Sequence, residues 1–337
     1  MLKQNKVELY WLVTSYSMLI ILILVGGLTR LTDSGLSITN WQIFSGIFPP
    51  LSTEQWIKYF NLYKQIPEFK EINFDMSLTE FKIIFWWEYA HRILARLTVL
   101  TFLIPFIFLL IKKRLNNRKI ITGFLISIMF FVQGFFGWYM VKSGLVNNVD
   151  VSHFRLSLHL ITAIIIYSLI FWLFLDRDSN LIKFRFNLIN YSLIALLILS
   201  YIQIILGAFV SGLDAGLIYQ TWPLMNENFI AEEIQLKFIA SYSSLSEHAY
   251  VQFYHRVLAY FLILIFIFIY IKNINLKVLN NFYLNIILIV ISLQVILGIL
   301  TLVSGLNILL ASFHQIGSIL LISSILLALY KLNVKIN

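Results

Sequence analysis

Residues Phe81–Ile111 read FKIIFWWEYAHRILARLTVLTFLIPFIFLLI. The run is longer than the roughly 20 apolar residues that a membrane helix needs, yet it carries Glu88, His91 and Arg92 near its start. Charged groups inside such a segment are costly, so they are usually paired or functional. Seven further apolar runs follow the same logic, near 10–29, 120–141, 155–175, 188–210, 251–271, 281–303 and 310–330. The 337-residue chain is 60% hydrophobic, with a mean hydropathy of +0.85, well beyond the composition of a soluble domain. The sequence therefore predicts an all-α integral membrane protein with eight transmembrane helices. The first run follows only two lysines and enters a polar loop without a small-residue cleavage pattern, so it reads as a retained helix.

An even number of spans puts both termini on one side, and the basic residues identify that side as cytoplasmic. Lys3 and Lys6, the Lys112 to Lys119 group, Arg177, Lys183 and Arg185, Lys272 and Lys277, and Lys331 and Lys335 all fall in the short segments of that side. The two long outer loops are acidic instead, with Asp33, Glu54, Glu68, Glu71, Asp75 and Glu80 in one and Asp214, Glu227, Glu232, Glu233 and Glu247 in the other. The net charge of +9 is thus an anchor for the lipid bilayer and implies no nucleic-acid partner, because the cations line helix ends and form no aromatic-interleaved face. The chain has no cysteine. Disulfides, thiolate haem ligation, cysteine-held iron–sulfur clusters and covalent haem attachment are excluded, leaving His and carboxylates for any metal chemistry.

The two halves repeat each other. Gln133-x3-Gly137-x5-Ser143-Gly144-Leu145 in the third span matches Gln294-x3-Gly298-x5-Ser304-Gly305-Leu306 in the seventh, and His91-Arg92-Ile93-Leu94-Ala95 matches His255-Arg256-Val257-Leu258-Ala259. The first and fifth spans are each read as ending in a Ser-Gly-Leu turn, at Ser34 and Ser211, followed by Trp41 or Trp222. Four spans per repeat predict two parallel four-helix bundles, residues 1–178 and 179–337, related by an axis near the membrane normal, so that equivalent residues share a depth.

His91, His159, His255 and His314 then stand at matching depths on the even-numbered spans. Pairing His91 with His159 requires extra residues in the outer loop before the fourth span, so that His159 rather than His153 is the partner of His314. Facing imidazoles from alternate helices of a bundle are what a bis-histidine haem needs, one per half. A proton pathway or a non-haem metal are the other readings of the same pattern. Glu88, His91 and Arg92 share one helix face, and the repeat places Gln252 opposite Glu88. An amide cannot exchange a proton or carry compensating charge, so the carboxylate pocket is the better candidate for chemistry and the Gln252 pocket for electron transfer. Arg92 and Arg256 suit haem propionates or lipid headgroups equally. His153 and His248 have no repeat partner and read as exposed loop residues. Trp86, Trp87, Trp138 and Tyr139 read as an aromatic belt.

The runs Gly26-Gly27-Leu28-Thr29-Arg30-Leu31-Thr32-x-Ser34-Gly35-Leu36-Ser37, Glu88-x-x-His91-Arg92, Gln133-Gly134-x-x-Gly137-Trp138, Arg155-Leu156-x-Leu158-His159, Trp222-Pro223-Leu224-Met225, His255-Arg256 and His314-Gln315 together resemble the haem A synthase family over nearly the whole chain. The absence of an outer-loop cysteine pair resembles its proteobacterial and mitochondrial type. The resemblance implies an enzyme of cytochrome oxidase assembly in the bacterial inner membrane. Such an enzyme oxidises a methyl group of haem O to a formyl group through hydroxylated intermediates, with its haem sites near the periplasmic side. It further implies that His255 and His314, with Arg256, hold a haem b cofactor, and that His91, His159 and Arg92 bind the haem O substrate. Glu88 would be the essential carboxylate beside them. A haem O synthase is the implied donor of substrate, and assembly into homo-oligomers is left open. The rival from another class is a dihaem b-type membrane cytochrome that passes electrons without modifying its haem, and a parallel-repeat transporter with proton-relaying histidines is the third reading.

Overall fold

The computed structural model describes residues 2–40, 45–146, 148–177, 184–239 and 241–334. Trp41, Lys183 and Lys335 lie outside them. Ten α-helices follow one another: α1 (Leu2–Leu31), α2 (Thr53–Tyr63), α3 (Pro67–Glu71), α4 (Leu78–Ile111), α5 (Asn117–Gly144), α6 (His153–Leu175), α7 (Leu188–Gly212), α8 (His248–Leu276), α9 (Asn281–Val303) and α10 (Ile308–Asn333). Among the described residues there is no β-strand, only an isolated bridge between Met225 and Asn228. Eight helices, all but the short α2 and α3, are long and apolar enough to cross a membrane, in the order the hydropathy pattern predicts. In lipid an isolated segment must satisfy its own backbone groups, which is what a helix does. Side chains such as Ile104, Ile121 and Phe131 point outward, exposed, where acyl chains would solvate them.

Two compact units can be distinguished, one from Tyr10 to Ile166 and one containing Tyr167–Asn337 with Met1–Leu9. In the Tyr10–Ile166 unit the Trp11 indole N–H donates to the Phe102 carbonyl at 3.0 Å, joining α1 to α4. With 34 residues, α4 is about 50 Å long, more than the roughly 30 Å hydrocarbon layer. Its first turns are instead buried under the outer segment, where Phe81 and Phe85 pack with Trp56, Phe60, Tyr63 and Ile66. That segment is more ordered than a polar loop. Reciprocal capping boxes start both flanking helices, Ser52 with Gln55 and Ser77 with Glu80, each satisfying backbone donors that a helix start leaves open.

In the other unit α7 packs along α8 and α10, and α9 along α10, around Leu193, Leu196, Phe266, Ile287 and Ile325. A reciprocal amide pair, Asn190 with Asn333, locks the start of α7 to the end of α10. At the α8–α9 turn Asn273 exchanges two hydrogen bonds with the backbone of Leu279, and Lys277 adopts a left-handed conformation there. His153 and His248 are the first residues of α6 and α8 and not loop residues; His153 is half-buried, whereas His248 is exposed.

Candidate functional site

The four membrane histidines share one local construction. Each imidazole rests on a glycine of the preceding long apolar helix: His91 on Gly26, His159 on Gly137, His255 on Gly207 and His314 on Gly298. A Cβ at these glycines would stand 2.8, 3.1, 3.2 and 2.9 Å from the ring Cε1, so any other residue would displace the ring. The glycines are seats for imidazoles, which is more specific than close helix packing.

One turn earlier on the same helix face lies the second element. Gln133 Nε2 donates to the His159 carbonyl at 3.0 Å, Gln203 Nε2 to the His255 carbonyl at 2.9 Å, and Gln294 Nε2 to the His314 carbonyl at 2.8 Å. The same amides lie against the rings of His159 and His255, and His314 Nδ1 is 3.1 Å from the Gln294 carbonyl oxygen. In all three glutamines Oε1 is buried and has no hydrogen-bond partner, so acceptor capacity is left over. His91 differs, because the residue one turn before Gly26 is Leu22, whose backbone meets the ring.

The histidines of the second half meet as a pair. The rings of His255 and His314 have centroids 6.4 Å apart and planes at 78°, and His91 and His159 are close enough to interact electrostatically. Two metal–imidazole bonds of about 2.0 Å each, extended to the ring centres, span about 6 Å. Among the described residues no group of three or more His, Asp or Glu is placed to hold a metal ion. Two imidazoles suffice for an iron whose other four ligands come from a macrocycle, so the donor set fits a haem and not a bare ion.

Beside these pairs the two units diverge. Glu88 is buried at 3% exposure and accepts four hydrogen bonds. Arg92 donates to Oε1 through Nε at 3.0 Å and Nη2 at 2.5 Å, while Oε2 accepts from Ser37 Oγ and the Ile38 amide, each at 2.7 Å. The Arg92 guanidinium also donates to the Ile38 carbonyl at 2.9 Å. In the counterpart, Arg256 donates to the Tyr219 carbonyl at 2.9 Å and the Leu224 carbonyl at 3.0 Å. There Gln252, also 3% exposed, donates its amide to the carbonyls of Ala215 and Tyr219. A glutamate accepts from the loop, then, where a glutamine donates to it. Both arginines clamp the segment that follows the preceding odd-numbered span.

These contacts also set the register of that segment. Ile38 and Tyr219 hold equivalent places, as do Asp33 and Asp214, both at positive φ, and Gly26 and Gly207. Aligning Ser34 with Ser211 therefore misses by four positions; Ser211 is still inside α7, whereas Ser34 lies beyond the end of α1. The sequence carries the signal, since Gln203-x3-Gly207 repeats the spacing of Gln133-x3-Gly137.

The outer segments are fastened by polar groups of their own. Tyr63 accepts from Asn73 Nδ2 at 2.8 Å. Burial, opposed by a hydrogen bond from Tyr63 and reinforced by Asp33, Asp150 and Glu88, pushes the Glu68 carboxyl up to about 8. Tyr219 donates to Glu233 at 2.5 Å; burial and that carboxylate push its hydroxyl up to about 12. Trp86, Trp56 and Tyr89 pack together, and Arg155 lies 3.7 Å over the Tyr139 ring.

The family described as Cytochrome oxidase assembly protein matches residues 9–326. Among curated proteins, the chain is 48% identical to Heme A synthase of Pelagibacter ubique, covering 95% of each chain. It is 45% identical to Heme A synthase of Rickettsia bellii, covering 94% of this chain and 95% of that one. Heme A synthase of Flavobacterium johnsoniae is 39% identical over 99% of this chain and 100% of its own length.

Proposed function

The chain belongs to the haem A synthase family of cytochrome oxidase assembly proteins, and from that premise we infer that it is a multi-pass membrane enzyme that converts haem O to haem A. The dihaem cytochrome reading is not favoured. We propose the finer assignments from the residues. The first half, 1–178, takes haem O between His91 and His159, and the second half, 179–337, holds a resident haem b between His255 and His314. Both termini are cytoplasmic, the two bundles are parallel repeats in the inner membrane, and the pockets lie toward the periplasmic ends of the spans. Haem O comes from its synthase in the same membrane.

A bound haem b would supply one-electron chemistry. The chain's own residues set the conditions for it. The glycine seats fix where each imidazole can stand, and the apolar spans exclude water. Glu88 is the observation that carries the assignment of roles, because it is a carboxylate found in one unit only. Its two oxygens are held by four donors, which fix the carboxyl group in place. A fixed negative charge in a low-dielectric pocket stabilises positive charge developing on the substrate as its methyl group is oxidised. Arg92 holds the anion in place and ties it, through Ile38, to the outer segment. Extraction of haem from the purified protein tests the reading: haem b accompanied by haem O or its oxidised forms is expected, and a protein with haem b in both halves would restore the cytochrome reading.

A further inference from the structure

Three of the four histidines are braced by a glutamine and one is not. We infer that Gln133, Gln203 and Gln294 are positioning residues for haem-ligating imidazoles, and that Leu22 makes His91 the yielding ligand by which the substrate haem is taken up and released. The inference rests on the haem ligation proposed above and concerns how firmly each ligand is held.

The four sites share one seat. A glycine seats each ring within 3.2 Å of the Cβ position it lacks, and the preceding residue one helical turn away faces the same histidine. In three sites that residue donates from its side-chain amide to the carbonyl of the histidine itself, at 2.8 to 3.0 Å. The amide pins the histidine's helix to its neighbour at the level of the ligand and restricts the ring it touches. Leu22 has no side-chain donor and is half-buried at this place, so α1 meets the His91 ring there through backbone alone and nothing ties it to the His91 carbonyl.

The distribution matches the two tasks. Both ligands of the proposed resident cofactor, His255 and His314, are braced. In the substrate pair only His159 is. A cofactor that stays has use for two fixed ligands, whereas a substrate that must leave as product requires one ligand that can give way. An interhelical hydrogen bond within a membrane, at its measured range, corresponds to about a three- to twentyfold change in a rate or equilibrium.

The test uses the full-length protein loaded with its haems. Transfer of ferric haem to excess apomyoglobin is followed at the Soret band, the haem lost is identified by mass, and electron paramagnetic resonance g-values of the bound haems are recorded. Leu22→Gln is expected to slow loss of haem O and haem A about three- to twentyfold and to shift the g-values of that haem alone, with Leu22→Met behaving as the parent. Gln203→Leu and Gln294→Leu are expected to speed loss of haem b by a similar factor and shift its g-values. Unchanged rates and g-values in Leu22→Gln, or in both glutamine variants, would overturn the inference while leaving haem ligation intact. A parent protein with no Soret band would instead overturn the ligation on which it rests.

Discussion

Glu88 and Gln252 occupy matching places, both buried, both four residues before an arginine that grips the outer segment, yet their hydrogen bonds to that segment run in opposite directions. Around Gln252 the side-chain amide donates to backbone carbonyls; around Glu88 a hydroxyl, a backbone amide and a guanidinium donate to the carboxylate. The same framework thus pairs its arginine with a carboxylate in one pocket and with a neutral amide in the other. In the proposed division of roles a single change of functional group separates chemistry from cofactor binding, with the glycine seats and arginine clamps retained in both.

The largest effects should come from removing a ligand. His255→Ala is expected to strip haem b from the purified protein and abolish conversion, while His91→Ala retains haem b and loses turnover; equal haem content in both variants would erase the division between the halves. Glu88→Gln gives the first pocket the side chain of the second. Loss of a positioned charge of this kind costs about 100-fold or more, so formyl production should fall by that factor with haem still bound.

A smaller change tests the seats. Gly298→Ala places a Cβ 2.9 Å from His314, and overpacking of that order costs about 1–3 kcal/mol. Haem b occupancy, read from the Soret absorbance per protein, should drop about tenfold at limiting haem, and full occupancy would show that the ring does not rest there.

Smaller still is the effect of the arginine clamp of the second unit. Arg256→Ala removes donors to the Tyr219 and Leu224 carbonyls, worth about 1–2 kcal/mol at this partly exposed site. Hydrogen exchange at residues 219–225 should accelerate accordingly, with little change in α9.

The smallest concerns pH. Glu68 titrates near 8 in the folded protein against an ordinary value of 4.5, so the fold favours its protonated form. The stability this confers is fully present below about pH 4.5 and is lost as pH rises through 8. Protection of α2 and α3 from hydrogen exchange should therefore be greater at pH 5 than at pH 8.5, and Glu68→Gln should flatten the difference. An unaltered pH dependence in that variant would remove Glu68 as its source.

The spans and the histidine pairs were legible in the sequence because hydropathy and repetition are properties of side chains. Less legible was everything decided by backbone. Arg92 and Arg256 could be read as propionate or headgroup ligands because their acceptors, the carbonyls of Ile38, Tyr219 and Leu224, leave no trace in residue identity. The turn after the first and fifth spans was aligned on Ser34 and Ser211, which share letters, when the equivalent positions are the left-handed Asp33 and Asp214. The outer segment before α4 looked like a polar loop, although Ser52 with Gln55 and Ser77 with Glu80 are capping boxes that announce helices. Gln133 and Gln294 mark the repeat and Gln203 shares their spacing to a glycine, but their partner is a main-chain carbonyl, which only the folded chain reveals.

The central claim is that one carboxylate separates two similar haem pockets into a catalytic and a cofactor site. Haem extracted from cells supplying haem O, and identified by mass, tests it most directly. Haem A should appear with the parent chain and be replaced by haem O in the Glu88→Gln variant, with haem b present in both. Haem A at parental levels in that variant would contradict the claim.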